Sequence, residues 1–131
     1  MLPRENRLTK VRDFNLLVKH GRFTNGVFLS LKALRLADVK TFFPPKENPD
    51  TFSKQLRIAF AVSVKISKSA VKRNRFRRQL REIIRLSVSD GVISGGWYLL
   101  FVAKSGCLDK SYEDIQSEAA TLLQKSGVLK R

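Results

Sequence analysis

KISKSAVKRNRFRRQLREIIR, residues 65–85, combines a dense positive charge with a helical pattern of apolar residues. Nine of its 21 positions are Lys or Arg, and Glu82 is the only acidic residue. At about 100° per residue, Leu80 and Ile84 fall on the same side as Phe76, whereas most of the arginines fall on the opposite side. The segment therefore predicts a helix with one buried face and one face presented to a polyanion.

The chain as a whole is also strongly basic. Its 131 residues include 26 Lys and Arg against 11 Asp and Glu, a net charge of +15. This length predicts a single domain spanning residues 1–131, and nucleic acid is the commonest partner of a small, basic domain. A solvated helix usually mixes Glu with Lys, and a membrane-surface helix usually carries bulky aromatic residues opposite its charges. Residues 65–85 show neither pattern, so RNA or DNA is the favoured partner and membrane binding is not expected.

Two further helices are predicted from hydrophobic spacing. The first covers residues 10–20 and ends at Gly21. Its apolar stripe consists of Val11, Phe14 and Val18, with Leu17 beside it. The last helix is expected to bury Ile115, Ala119, Leu122 and Leu123. Asp109 or Ser111 is expected to cap that helix, and Ser67 or Ser69 is expected to cap the basic one.

Three segments have the pattern of β-strands: residues 27–36, 55–64 and 97–103. In the first, after an Asn25-Gly26 turn, one face holds Val27, Leu29, Leu31 and Ala33, and the other holds Phe28, Ser30, Lys32 and Leu34. In the second, the apolar face holds Leu56, Ile58, Phe60, Val62 and Val64. Its other face holds Arg57, Ala59, Ala61 and Ser63, which suits a shallow groove. The third is apolar on both faces, as a central strand is.

The order helix, strand, strand, helix, strand, helix predicts an α+β sandwich with helices packed on a sheet. Residues 38–54 hold three of the four prolines and predict a long connecting loop. Phe42, Phe43 and Phe52 of that segment are interpreted as pinning the loop to the domain, with a binding patch as the alternative.

Few residues suit catalysis by the chain itself. His20 is the only histidine and is interpreted as a helix-end residue. Cys107 is the only cysteine, so no internal disulfide can form, and it is interpreted as a packing residue. No Cys/His cluster, phosphate-binding glycine loop or close carboxylate pair predicts a protein-held metal or nucleotide. No signal peptide or membrane span is predicted, so the expected location is the cytoplasm.

Residues 61–85, AVSVKISKSAVKRNRFRRQLREIIR, resemble the bacterial ribonuclease P protein component. The resemblance is strongest at the arginine-asparagine-arginine motif, Arg73 to Arg75. It extends to residues 2–22, to WYLLFVAKSG at 97–106 and to YEDI at 112–115. The resemblance implies a two-layer α+β sandwich with a mixed sheet of about four strands, three helices and a left-handed βαβ crossover.

The resemblance also implies a function. Members of the family are protein partners of a catalytic RNA that removes the 5′ leader from precursor tRNA. The RNA holds the catalytic Mg²⁺, no other protein partner is required, and no catalytic or metal-binding residue is expected in this chain. The basic helix is expected to bind the catalytic RNA through Lys65, Lys68, Lys72, Arg73, Asn74, Arg75, Arg77, Arg78 and Arg81. A groove between the first helix and the sheet is expected to bind the leader through Phe14, Val18, Phe28, Ser30, Lys32 and Arg57.

Three positions depart from the family pattern: Val64 replaces a common lysine, and Val18 and Lys32 stand where aromatic residues are frequent. The groove is therefore expected to rely more on charge, with Phe28 as a compensating aromatic. The alternative function is a structural RNA-binding protein of the ribosome or its assembly, since charge and a helix on a sheet fit both. The motif at Arg73 to Arg75 favours ribonuclease P.

Overall fold

The computed structural model describes residues 6–36, 55–93 and 95–128. Its helices are α1 (Val11–His20), α2 (Ala70–Ser89) and α3 (Tyr112–Ser126), with a short 3-10 helix at Cys107–Asp109. Its strands are β1 (Arg22–Asn25), β2 (Leu29–Arg35), β3 (Leu56–Ala61) and β4 (Trp97–Ala103). The four strands form one sheet in the order β1-β2-β4-β3. The predicted α+β architecture, with a four-stranded mixed sheet and three helices, is confirmed.

β4 is an inner strand, as its apolar composition predicts. It pairs antiparallel with β2 and parallel with β3. The parallel pair needs a long crossover, and α2 is the helix within it. Tyr98 to Phe101 are buried because both faces of the sheet are covered at this strand.

The core has two parts, one on each face of the sheet. On one face, α2 and α3 pack over the alternating residues of β2 and β3, including Leu31 and Ile58. On the other face, α1 covers a smaller cluster that includes Leu17, Tyr98 and Leu100. Ala59 and Ala61 also border this smaller cluster, so the predicted division of β3 between an apolar face and a small-residue face is confirmed.

α1 buries Leu17 and Asp13 and leaves its apolar stripe at the surface. Val11 is 74% exposed, Phe14 39% and Val18 47%. The helix rests on Leu17, and Asp13 is accommodated because the guanidinium of Arg12 contacts its carboxylate at 3.1 Å. The stripe is therefore available to a partner instead of contributing to the core.

Serine side chains cap the N-termini of both helices that follow β3. Ser69 Oγ accepts a hydrogen bond from the Lys72 N–H and caps α2. Ser111 and Asp114 form a reciprocal capping box at the start of α3. These contacts decide between the capping alternatives left open by the sequence, in favour of Ser69 and Ser111.

The start of β2 and the end of β3 differ from the sequence prediction. β2 begins at Leu29, because Val27 and Phe28 form a turn whose N–H groups donate to the Glu118 carboxylate at 2.7 and 2.9 Å. The alternation predicted for this strand therefore does not include Phe28. Phe28 is buried in the core beneath α2 and α3 and does not share a face with Lys32. β3 ends at Ala61 because a turn starts at Ser63, whose carbonyl accepts from the Ile66 N–H.

The prolines and phenylalanines of the segment 38–54 lie outside the described residues, so their predicted roles stay predictions.

Candidate nucleic-acid interface

α2 separates its apolar and basic residues as the helical arithmetic predicts. Phe76, Leu80, Ile83 and Ile84 are buried. Lys65, Lys68, Lys72, Asn74, Arg75 and Arg78 are exposed, whereas Arg73, Arg77 and Arg81 are half-buried. The nine predicted RNA-binding residues therefore lie on or beside one helix, away from the apolar face that it buries.

The one acid of this segment pairs with the last arginine. Glu82 accepts two hydrogen bonds from Arg85, at 3.0 and 2.6 Å. These bonds hold the pKa of the Glu82 carboxyl below its usual range. Among the described residues, the other arginines of α2 have no carboxylate partner. No carboxylate in residues 6–36, 55–93 or 95–128 therefore pairs with the positive face from Lys72 to Arg81.

Two arginines of α2 run their stems along the protein surface. The Nε atoms of Arg73 and Arg77 are buried, and neither has a hydrogen-bond partner among the described residues. The Arg77 NH1 group donates to Asn74 Oδ1 at 3.0 Å, so Asn74 orients this guanidinium. This arrangement directs the remaining donors outward.

A cavity of about 460 Å³ opens beside the start of α2. Lys72, Arg75 and Gln79 line it from the helix, and Gly106, Asp109 and Lys110 line it from the 3-10 segment and the residues on either side. Lys110 was not identified in the sequence as an interface residue, because it lies about 25 positions after the basic run. Its cluster with Lys72 and Arg75 exists only in the tertiary structure.

On the opposite face of the sheet, Lys32 and Arg57 are both held by hydrogen bonds. Lys32 Nζ donates to the Val18 carbonyl at the end of α1. Arg57 donates from Nε to Gln55 Oε1 at 3.1 Å and from NH1 to the Arg7 carbonyl at 3.2 Å. Both cations therefore have restricted positions at the rim of the α1 face.

A buried polar group lies beneath α1. Tyr98 is fully buried, and its hydroxyl lies 3.5 Å from Gln55 Oε1, the same oxygen that binds Arg57. Burial raises the pKa of Tyr98 well above its usual value, and the nearby Asp13 carboxylate raises it further. Tyr98 consequently stays protonated and neutral next to Asp13 even at a pH at which an exposed tyrosine would begin to ionise.

Comparisons with known proteins agree with this geometry. A family model described as Ribonuclease P matches residues 2–127. The chain belongs to the ribonuclease P protein family. It is 35% identical over 129 residues to the ribonuclease P protein component of a Synechococcus strain, covering 98% of this chain and 87% of the relative. The corresponding protein of Clostridium botulinum is 40% identical over 126 residues, covering 95% and 97%.

Solved structures share the fold of this ribonuclease P protein. The ribonuclease P protein of Staphylococcus aureus superposes with a TM-score of 0.72 at 21% identity, covering 95% of this chain and 98% of that one. The Thermotoga maritima protein gives a TM-score of 0.66 at 21% identity, covering 91% and 96%. The chain is thus a subunit of ribonuclease P, an endoribonuclease ribonucleoprotein that processes tRNA. The alternative of a ribosomal protein without an enzymatic role is not supported.

Four of the six predicted leader-binding residues of this ribonuclease P protein reach the surface of the α1 face or its rim: Phe14, Val18, Lys32 and Arg57. Ser30 is on the same strand as Lys32 but is buried, and its Oγ donates to Asn25 Oδ1 at 3.2 Å. Phe28 belongs to the opposite core, and the ammonium of Lys110 lies 5.5 Å from its ring centre. Neither Ser30 nor Phe28 is accessible to a ligand on the α1 face of the sheet.

One exposed aromatic residue on the face of the sheet that α1 covers was not identified from the sequence. Phe23 of β1 is 52% exposed and lies directly opposite Lys32 in the β1-β2 register. The sequence signal was weak, because β1 is only four residues long and has no clear alternation.

The described residues contain no cluster of three or more His, Cys, Asp and Glu that could hold a metal ion. No helix in the part of the chain that the structure describes is long and apolar enough to cross a membrane.

Proposed function

We propose that this ribonuclease P subunit binds the catalytic RNA through the exposed face of α2 and binds the 5′ leader of precursor tRNA in the groove beside α1. The RNA carries out the cleavage with the Mg²⁺ that it holds. The protein adds fixed positive charge and a single-strand binding surface, and it acts in the cytoplasm without another protein.

The basic face of α2, which has no acidic partner from Lys72 to Arg81 in the part of the chain that the structure describes, is the observation that carries this proposal. Arg75 and Arg78 project from it without an acidic partner among the described residues. Like charges this close on a helix repel one another, and the phosphates of an RNA backbone would remove that repulsion. Arginine also suits this partner because its planar fork binds a phosphate through two hydrogen bonds.

The cavity at the start of α2 extends the same surface. Lys72, Arg75 and Lys110 contribute three cations to its lining, against one acid, Asp109. Three cations in one lining favour a backbone phosphate of the catalytic RNA over a neutral ligand. Lys110 is therefore added to the residues proposed to contact that RNA.

The groove beside α1 suits single-stranded RNA. Single strands are bound by stacking of bases on aromatic side chains and by cations that follow the backbone. Phe14 offers an exposed ring, and Lys32 and Arg57 offer cations that hydrogen bonds hold in place. Mature tRNA lacks the leader, so this groove would favour the precursor.

Reconstitution with the catalytic RNA of the same organism tests the proposal. Removal of the leader from precursor tRNA is measured across Mg²⁺ concentrations, with and without the protein. We expect the protein to permit cleavage at Mg²⁺ concentrations at which the RNA alone is inactive, because its cations replace part of the ionic screening. A variant with Arg73, Arg75 and Arg77 changed to Ala is the control and should need more Mg²⁺. Correct cleavage by RNA-free protein, or no effect of the protein on the RNA, would overturn the proposal.

A further inference from the structure

Phe23 is an exposed aromatic residue on the groove side of the edge strand β1. In the antiparallel pairing of β1 with β2, Phe23 lies opposite Lys32, and Thr24 lies opposite the buried Leu31. Directly opposed residues of neighbouring strands project to the same face of a sheet. Phe23 therefore shares the face of Lys32, which is the face covered by α1.

The residues between α1 and β1 bring this ring close to the groove. α1 ends at His20, and a single residue, Gly21, separates it from β1. A Cβ atom at Gly21 would lie 3.0 Å from Lys32 Cγ, so the Lys32 stem passes directly against this junction. Its ammonium then reaches the Val18 carbonyl. Phe23, Lys32 and the end of α1 thus form one corner of the groove.

We propose that Phe23 stacks on a base of the single-stranded RNA in the groove, with Lys32 next to the adjoining phosphate. This inference rests on the proposed leader-binding function and adds to it a residue that contacts the leader irrespective of its sequence. Among the described residues, Phe14 and Phe23 are the only strongly exposed aromatic side chains. Every base has a π face, so such contacts tolerate any leader sequence.

Pairing of β1 with a second copy of the chain is the competing explanation for an exposed residue on an edge strand. The charge argues against it. Each chain carries a net charge of +15, and the exposed Arg22 is the immediate neighbour of Phe23. Two copies meeting at this edge would bring like charges together, whereas RNA would neutralise them.

Phe23→Ala in the reconstituted holoenzyme tests the inference. Binding is measured for precursor tRNA, for mature tRNA and for precursors with an abasic site at successive leader positions. We expect Phe23→Ala to weaken precursor binding roughly 5- to 100-fold, the scale for losing one stacked base, without affecting mature tRNA. Phe23→Trp should restore binding. The loss should disappear for the one precursor whose abasic site removes the base that Phe23 contacts.

Val27→Ala is the matched control, because Val27 is 80% exposed on the same hairpin but is bonded to Glu118 of α3. It should not affect precursor binding. If Phe14→Ala selectively weakens precursor binding and Phe23→Ala does not, the role inferred for Phe23 is wrong, whereas leader binding beside α1 is supported. If neither variant does, the leader groove itself is wrong. A change in sedimentation of the free protein on Phe23→Ala would identify β1 as a self-association edge and would overturn the inference.

Discussion

At the scale of single residues, neighbours on α1 have opposite environments. Asp13 is almost fully buried, whereas Phe14 is 39% exposed. This inversion of the usual preference occurs because the neighbouring Arg12 donates hydrogen bonds to the Asp13 carboxylate, which lies near the Tyr98 hydroxyl. A large aromatic side chain is left at the surface, and it is the residue on α1 best suited to stack on RNA.

Phe14→Ala should therefore impair binding more than stability. We expect the affinity for precursor tRNA to fall by about 1–3 kcal/mol, the usual scale for a stacked base, with mature tRNA unaffected. A fully buried phenylalanine would instead lose about 3–5 kcal/mol of folding stability on truncation. Equilibrium binding and thermal unfolding of the same variant separate the two roles. A large fall in melting temperature without selective loss of the precursor would contradict a role for Phe14 in the groove.

At the scale of elements, the buried face of α2 stabilises the helix, and repulsion between the like charges of its basic face destabilises it. Arg73, Arg77, Arg81 and Arg85 recur at intervals of four, and each like-charged pair costs about 0.2–0.5 kcal/mol. Burial of each large apolar side chain, such as Phe76 and Leu80, contributes about 1.5–3 kcal/mol. Burial is the larger effect, so the helix tolerates a surface that is unfavourable until RNA binds.

Arg75 and Arg85 form a matched pair for testing this surface, because only Arg85 has an acidic partner on the helix. Arg75→Ala should weaken binding to the catalytic RNA. It should also reduce the slope of log K against log salt concentration by about the amount that one phosphate contact contributes. Arg75→Lys should recover part of the loss, since it keeps the charge without the planar fork.

The corresponding Arg85→Ala variant should leave the slope nearly unchanged. Filter binding at several salt concentrations measures both. Equal slopes for wild type and Arg75→Ala, in folded protein, would refute the proposed phosphate contact.

At the scale of the whole molecule, basic residues connect the two proposed RNA surfaces around the edge of the sheet. Arg81 of α2 and Arg7 line one cavity of about 300 Å³ against Ile58, Ala59 and Phe60 of β3. The carbonyl of Arg7 in turn accepts a hydrogen bond from Arg57 on the groove side. The basic surface thus passes over the β3 edge, so a leader in the groove would lie close to the RNA bound by α2.

The buried polar group beneath α1 makes the stability of the whole molecule depend on pH. The folded state raises the pKa of Tyr98 above its unfolded value of about 10, so above that pH only the unfolded state releases this proton. The free energy of unfolding should then fall as pH rises past 10. Tyr98→Phe should be less stable than wild type near pH 8, by about 1 kcal/mol for the lost hydrogen bonding.

The difference in the free energy of unfolding between wild type and Tyr98→Phe should shrink above pH 10. The lysines titrate in both proteins and cancel from this difference, so that only Tyr98 contributes to it. Chemical denaturation at pH 8, 10 and 11 measures it. A difference that stays constant or grows with pH would show that the Tyr98 hydroxyl is not held protonated by the fold.

Local periodicity predicted much of this architecture. The buried stripe of α2, the two faces of β3 and the inner position of β4 follow from the spacing of apolar residues, because helix and strand geometry fix which side chains share a face. The basic face of α2 was predictable for the same reason. The family followed from the motif at Arg73 to Arg75, and the matching family model confirms it.

The surroundings of the proposed leader groove depended on contacts between residues distant in sequence, which periodicity does not describe. Phe28 joined the core because the carboxylate of Glu118, 90 positions later, holds its backbone in a turn. Asp13 was buried because α1 meets Tyr98, and Phe23 faced Lys32 because of the hairpin register. The sequence by itself determined the helices, the strands, their apolar faces and the polyanion-binding charge. Only the tertiary structure decided which side chains are exposed on the α1 face of the sheet, because that depends on how separate elements pack against one another.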